Sequence, residues 1–193
     1  MERELLLTGI GGQGIQLAAQ LMATALAACG RGVQLFGSYG GMMRGGATEA
    51  TLIAAEGADV QGPPTVSSAW SAIVMHDAYA EGVLARLRPD GLLVVNSSLC
   101  RSRPESGGPH VLEVATGDLV VGQGAPAATL VAVGAYCRAT ELVTLDALVA
   151  ALPAVLPSYR RRHEPTGIKA LTIGYHSVAR CEAPAWEPAE ATR

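Results

Sequence analysis

Apolar and polar positions along this chain switch between two periods, and the switches mark out its elements. The run Leu5-Leu6-Leu7 leads into a glycine turn and reads as a buried strand. From Ile15 to Ala28, the residues Ile15, Leu17, Ala18, Leu21, Met22, Ala25 and Leu26 recur at helical spacing, with Gly30 as a stop. Val33 to Phe36 predicts a second strand, Gly37 to Gly46 a glycine-rich loop, and Ala50 to Ala54 a third strand. Gly62-Pro63-Pro64 is a breaker. Ala72 to Met75 predicts a short strand ending in His76-Asp77, and Ala78 to Arg88 a helix stopped by Pro89. Gly91 to Val95 predicts a strand ending in Asn96-Ser97-Ser98, Arg101 to Pro109 a surface loop, and Val111 to Val114 one more strand.

The last third changes character. Ala127 to Ala139 is small and apolar on nearly every side, Leu145 to Leu156 keeps helical spacing until Pro153 and Pro157 interrupt it, and Ile168 to Val178 predicts a final helix. Strands alternating with helices predict an α/β fold: a single-domain, three-layer open sheet, mostly parallel, with helices on both faces and ligand loops at the carboxyl ends of its strands. Ala183 to Arg193 holds Pro184 and Pro188 among charges and predicts a loosely held tail.

Composition narrows the function classes. With 193 residues, 49% apolar and 16% charged, and a mean hydropathy of +0.27, the chain can bury a sizeable core. A net charge of −3 and no basic stripe beyond Arg160-Arg161-Arg162-His163 give nucleic-acid binding little support. No run of eighteen apolar residues exists and the first strand begins within a few residues, so the expected location is the cytoplasm, away from membranes. Cys29, Cys100, Cys137 and Cys181 are isolated, which suits reduced thiols better than a metal site, an iron–sulfur cluster or a disulfide framework.

Gly9-Ile10-Gly11-Gly12-Gln13-Gly14 carries the most chemistry, because it lies between a strand and a helix. Gly9 suits a backbone angle that side chains avoid, Gly11 lets a ligand touch bare backbone, and Gly14 lets the helix pack close to the strand. Free amides at the helix start would then face a phosphate or other anion. A plain packing turn explains the same glycines. A dinucleotide site further demands an acidic residue about 20 positions on. None stands between Gly37 and Gly46, which argues against an NAD(P) site even though Arg44 could meet a 2′-phosphate.

Taken with Ser38-Tyr39-Gly40-Gly41-Met42-Met43-Arg44-Gly45-Gly46, the first motif closely resembles the gamma subunit, or corresponding domain, of the 2-oxoacid:ferredoxin oxidoreductases. The resemblance runs over most of the chain and places a gamma-type catalytic domain at residues 1–182, with a flexible C-terminal tail at 183–193. The Ser38-Tyr39-Gly40 form looks closest to relatives acting on 2-oxoglutarate. The chain departs from many relatives at Thr129, where they carry asparagine, and at Gly41-Met42, where they carry a polar pair such as Pro-Glu.

The resemblance implies a subunit of an enzyme converting a 2-oxoacid, coenzyme A and oxidised ferredoxin into acyl-CoA, carbon dioxide and reduced ferredoxin. Thiamine diphosphate, magnesium and iron–sulfur clusters would sit on partner subunits, with no catalytic residue, metal or cofactor on this chain alone. Gly9, Gly11, Gly12, Gln13, Gly14, Ser38, Tyr39, Arg44, Gly45 and Gly46 would form a shelf facing those partners and part of coenzyme A. Each has a plainer reading. Arg44 also suits a tie to backbone carbonyls or to a partner's carboxylate, Gln13 a bond to a loop amide, and Tyr39 an ordinary buried tyrosine. His76-Asp77 reads as loop-anchoring, and Met42 and Met43 as core or interface contacts. Two other functions stay open: a free-standing NAD(P)-binding reductase and a purely architectural subunit.

Overall fold

The computed structural model describes residues 1–39, 45–57, 59–63, 65–101, 108–179 and 184–186. Its strands are β1 (Glu2–Ile10), β2 (Gly32–Tyr39), β3 (Ala47–Ala55), β4 (Ala69–Val74), β5 (Leu87–Asn96) and β6 (His110–Val114). Its helices are α1 (Ile15–Ala28), α2 (Glu81–Leu84), α3 (Thr116–Leu119), α4 (Ala125–Thr140), α5 (Leu145–Val155) and α6 (Glu164–His176), with 3₁₀ turns at Asp77–Tyr79 and Ser158–His163.

One sheet of order β2-β3-β1-β4-β5-β6 holds all six strands. β1, β4, β5 and β6 pair in parallel, while β3 runs antiparallel between β1 and β2. Only β3 is therefore reversed, and the mostly parallel α/β sheet expected from the sequence is the observed one. Period-two burial sorts the side chains of β1: Leu5 and Leu7 join one apolar cluster and Leu6 joins the other. The first cluster is covered by α1, α4, α5 and α6. The second is closed more thinly, by Val66 and by Ala80 and Val83 around α2.

The pairing of α4 with α6 explains why Ala127 to Ala139 has no polar side. A Cβ on Gly134 would run into the Leu171 carbonyl of α6, and one on Gly174 into the Val131 carbonyl of α4. The two backbones touch, so α4 is buried against the sheet on one side and against α6 on the other. Beneath it, Tyr136 is wholly buried and its hydroxyl meets Ser71 Oγ at 2.9 Å, while Ser71 Oγ donates to the Glu4 carbonyl at 3.1 Å.

Several elements differ from their sequence-based expectation. The helix expected over Ala78 to Arg88 is only the 3₁₀ turn and the four-residue α2. Val83 is the one buried residue of α2, and Leu87 already pairs with Ala69. Between that pair and Ser71↔Leu92 the register slips, and the slip takes up Pro89 without a ladder bond. Arg88 in this stretch binds Glu4, which holds the chain extended. Ser38 and Tyr39 continue β2 instead of opening a loop, because β3 offers them Glu49 and Thr48 as partners. α5 runs through Pro153 to Val155 and stops before Pro157.

The tail expected to be loose is docked where it is described. Ala185 is buried, its amide donates to the Thr140 carbonyl at 2.6 Å, and its carbonyl accepts from Arg3 Nε at 2.6 Å. Trp186 Nε1 donates to the Leu142 carbonyl, and Arg31 stacks 4.3 Å over the indole. Apolar burial and a cation–π contact outweigh the chain entropy that the prolines and charges suggested.

Candidate functional site

The ends of β1, β4, β5 and β6, the starts of α1 and α4, and the start of the reversed β3 all lie at one edge of the sheet. The turn after β1 is built around Gln13, which is only 5% exposed. Its Oε1 accepts from the Ile10 amide at 2.8 Å, and its Nε2 donates to the Met75 carbonyl at 3.2 Å. Its backbone carbonyl accepts from Thr129 Oγ1 of α4 at 2.6 Å. One side chain thus ties β1, β4 and, through its own backbone, α4. The structural bond among the readings open for Gln13 is present, to the Ile10 amide at the end of β1.

The glycines have roles different from those expected at two positions. Gly9 does not adopt a positive φ; a Cβ there would collide with Gln13 Oε1, so the glycine makes room for that inward-facing amide. Gly11 is not bare backbone awaiting a ligand, since its amide donates to the Gly46 carbonyl at 2.8 Å. Gly12 (φ 104°) and Gly14 (φ 83°) take the left-handed conformations that other residues avoid. Gly12 faces open space, whereas a Cβ on Gly14 would press on Pro126 in the first turn of α4.

The second glycine segment meets the first. Besides the Gly11–Gly46 bond, Ile10 pairs with Ala47, and Tyr79 Oη donates to the Gly45 carbonyl at 3.4 Å. Ser38 and Tyr39 close β2 at the same edge, opposite Glu49 and Thr48. Arg44, together with Gly40, Gly41, Met42 and Met43, lies outside the described residues.

Beside the Gln13 turn is a cavity of about 370 Å³, lined by Gln13, Asn96, Ser98, Asp118, Gly124 and Ala125 among others. Asn96 is 1% exposed, donates to the same Met75 carbonyl that Gln13 uses, and accepts from the Ser98 amide. Ser98 Oγ accepts from the Gly117 and Asp118 amides at 3.1 and 3.4 Å. Leu99, Val120, Val121 and Ala128 give the cavity apolar walls as well, its polar groups are engaged in these bonds, and the starts of α1 and α4 lie beside it. Helix starts favour anionic groups, and Asp118 places one carboxylate among them.

His76 and Asp77 anchor loops, in keeping with their sequence reading: His76 Nδ1 accepts from the Ala78 amide, and Asp77 Oδ2 from the Arg101 amide at 2.7 Å. Tyr79 was not singled out from the sequence, being inside a stretch read as plain helix. Thr129 did carry a usable signal, since a lone hydroxyl in a buried apolar helix must find an acceptor. Among the described residues, no three His, Cys, Asp or Glu side chains come together as a metal site, and no helix is long and apolar enough to cross a membrane.

The family model for pyruvate ferredoxin/flavodoxin oxidoreductase matches residues 4–176. Among solved structures, the chain is similar to the gamma subunit of a keto/oxoacid ferredoxin oxidoreductase from Geobacter sulfurreducens. The TM-score is 0.74 at 25% identity, covering 91% of this chain and 95% of that one. It is also similar to the PORC subunit of the pyruvate oxidoreductase of Thermotoga maritima, with a TM-score of 0.70 at 22% identity and coverage of 90% and 95%. A 2-oxoglutarate:ferredoxin oxidoreductase from Magnetococcus marinus, solved with 2-oxoglutarate, coenzyme A and succinyl-CoA bound, gives a TM-score of 0.79 at 16% identity. That match covers 98% of this chain and 34% of the other. No curated protein sequence matches significantly. Because the family model spans most of its length, the chain belongs to the pyruvate ferredoxin/flavodoxin oxidoreductase family.

Proposed function

We propose that this chain is the gamma-type subunit of a multisubunit 2-oxoacid:ferredoxin oxidoreductase and that its glycine rim completes the active complex. The complex would carry out oxidative decarboxylation of a 2-oxoacid with coenzyme A, giving acyl-CoA, carbon dioxide and reduced ferredoxin. The observation that supports this reading is the Gly11–Gly46 bond, which joins the first glycine segment of the family resemblance to the last residue of the second. A surface poor in side chains lets another backbone or a ligand approach closely.

The family resemblance implies that magnesium and the iron–sulfur clusters lie elsewhere in the complex. Those groups, and thiamine diphosphate with them, are assigned to partner polypeptides. The thiamine cofactor supplies carbanion stabilisation after decarboxylation; this chain's residues hold and shape the neighbouring surface. Coenzyme A suits the rim in part, because exposed Gly12 and the cavity beside two helix starts leave room for a polar, anionic ligand. Alone, the chain is expected to be inactive. The form of Ser38-Tyr39-Gly40 points to 2-oxoglutarate as the oxoacid, with a partner reading its side chain.

Purification from native extract should bring down a thiamine-diphosphate-containing polypeptide in fixed ratio. In the reconstituted complex, Arg44→Ala should lower turnover while the subunit stays assembled. Turnover by the isolated chain would overturn the proposal, as would purification without such a partner. An assembled, fully active Arg44→Ala complex would remove Arg44 from the rim.

A further inference from the structure

A second cavity, of about 280 Å³, opens between α1, α4, α5 and α6, and Pro126, which lies close to Gly14, is part of its lining. Leu130, Leu152 and Leu156 supply apolar walls, and Arg160 and His163 stand at its polar side. The cavity is about twice the roughly 150 Å³ that admits a benzene ring, and close to the smallest ligand pockets of roughly 300 Å³.

Two basic side chains, Arg160 and His163, line it, and Glu164 follows at the start of α6. Arg160, Arg161 and Arg162 stand in sequence beside His163 in a chain of net charge −3. Among the described residues, none of the three arginines lies within 4.0 Å of a carboxylate. Arg162 Nε donates to His163 Nε2 at 3.2 Å, and Arg160 lies 5.5 Å from the Tyr159 ring. Gln123 also lines the cavity, and its Oε1 is buried with no hydrogen-bond partner among the described residues. An apolar chamber with an unpaired guanidinium at its edge complements an amphipathic anion.

We propose that this cavity binds a small carboxylic acid with an apolar body, of the arylalkanoate kind. The ring lies among Leu130, Leu152 and Leu156, and the carboxylate is held by Arg160. This site stands independently of the subunit assignment.

The test is titration calorimetry of the full chain with 4-phenylbutyrate, using 4-phenylbutyramide as the uncharged control. The acid should bind saturably with a Kd below about 1 mM. Binding should weaken at least about fivefold for the amide and for Arg160→Gln, which changes an exposed residue and leaves the core untouched. Thr166→Leu, which fills the chamber from its lining, should abolish it. Lack of saturable binding up to about 10 mM overturns the proposal. So does equal binding of acid and amide, or binding insensitive to Arg160→Gln or to Thr166→Leu.

Discussion

The amide of Gly11 donates to the carbonyl of Gly46 at 2.8 Å, so the turn that leaves β1 is fastened to the segment that enters β3. These residues are thirty-five positions apart, yet the antiparallel pairing of β1 with β3 brings Ile10 opposite Ala47 and leaves the bond almost no choice. Gly11 and Gly46 are thereby held side by side at this edge of the sheet.

Gln13 is the rim's fastener. Replacing it with alanine removes the bonds to the Ile10 amide and the Met75 carbonyl and leaves the partly buried Ile10 amide without that partner. The expected cost is about 2–3 kcal/mol, read as a lower urea midpoint at unchanged slope. A loss below about 0.5 kcal/mol would mean that water replaces the side chain without penalty.

Backbone contact between α4 and α6 leaves no space for a methyl group. Gly134→Ala and Gly174→Ala should each destabilise by about 2 kcal/mol or more, because the obstacle is a carbonyl and not a flexible side chain. Gly82→Ala serves as the control, since a Cβ there meets nothing within 4 Å. Thermal melts should rank the control far above the other two.

Burial pushes the Tyr136 hydroxyl and the Cys137 thiol far above their ordinary values of 10.0 and 9.0. The folded chain keeps both protons where the unfolded chain releases them. Their contribution is therefore full below about pH 9 and is lost as pH rises further. Urea midpoints should be flat below that point and fall above it, with a gentler fall in Tyr136→Phe. A Tyr136→Phe slope equal to the parent's would locate the alkaline loss elsewhere. At neutral pH, Tyr136→Phe should cost about 1 kcal/mol, because Ser71 keeps its bond to Glu4.

Two ion pairs should differ in worth. The Glu4 side chain is 17% exposed and accepts from both Arg88 Nη2 and the Trp70 amide. Glu49 is 31% exposed and pairs with Arg86. Glu4→Ala should cost about 1–2 kcal/mol and Glu49→Ala less than about 1 kcal/mol. Equal denaturation midpoints for the two variants would contradict the assignment of the Trp70 bond as structural.

Elements with a strong local period were legible in advance. α1 and α4 lie within three residues of their expected bounds at either end, because one apolar stripe and one nearly all-apolar run leave little alternative. α2 was not, because Val83 alone gives no period and the pull of Glu4 on Arg88 is invisible along the chain. At the site, the glycines could be located but two were given the wrong duty. Gly9 makes room for Gln13, and the Gly11 amide is engaged by Gly46.

Period, glycine placement and the paired motifs by themselves determined the fold class and the family, since these are properties of neighbours along the chain. Which amide Gly11 binds, that Ala185 and Trp186 are docked, that α4 and α6 touch through glycine, and that a basic 3₁₀ turn borders an apolar chamber were decided only in three dimensions. Those outcomes depend on contacts between residues remote in sequence. Burial and pairing energies of a few kcal/mol there override local preference.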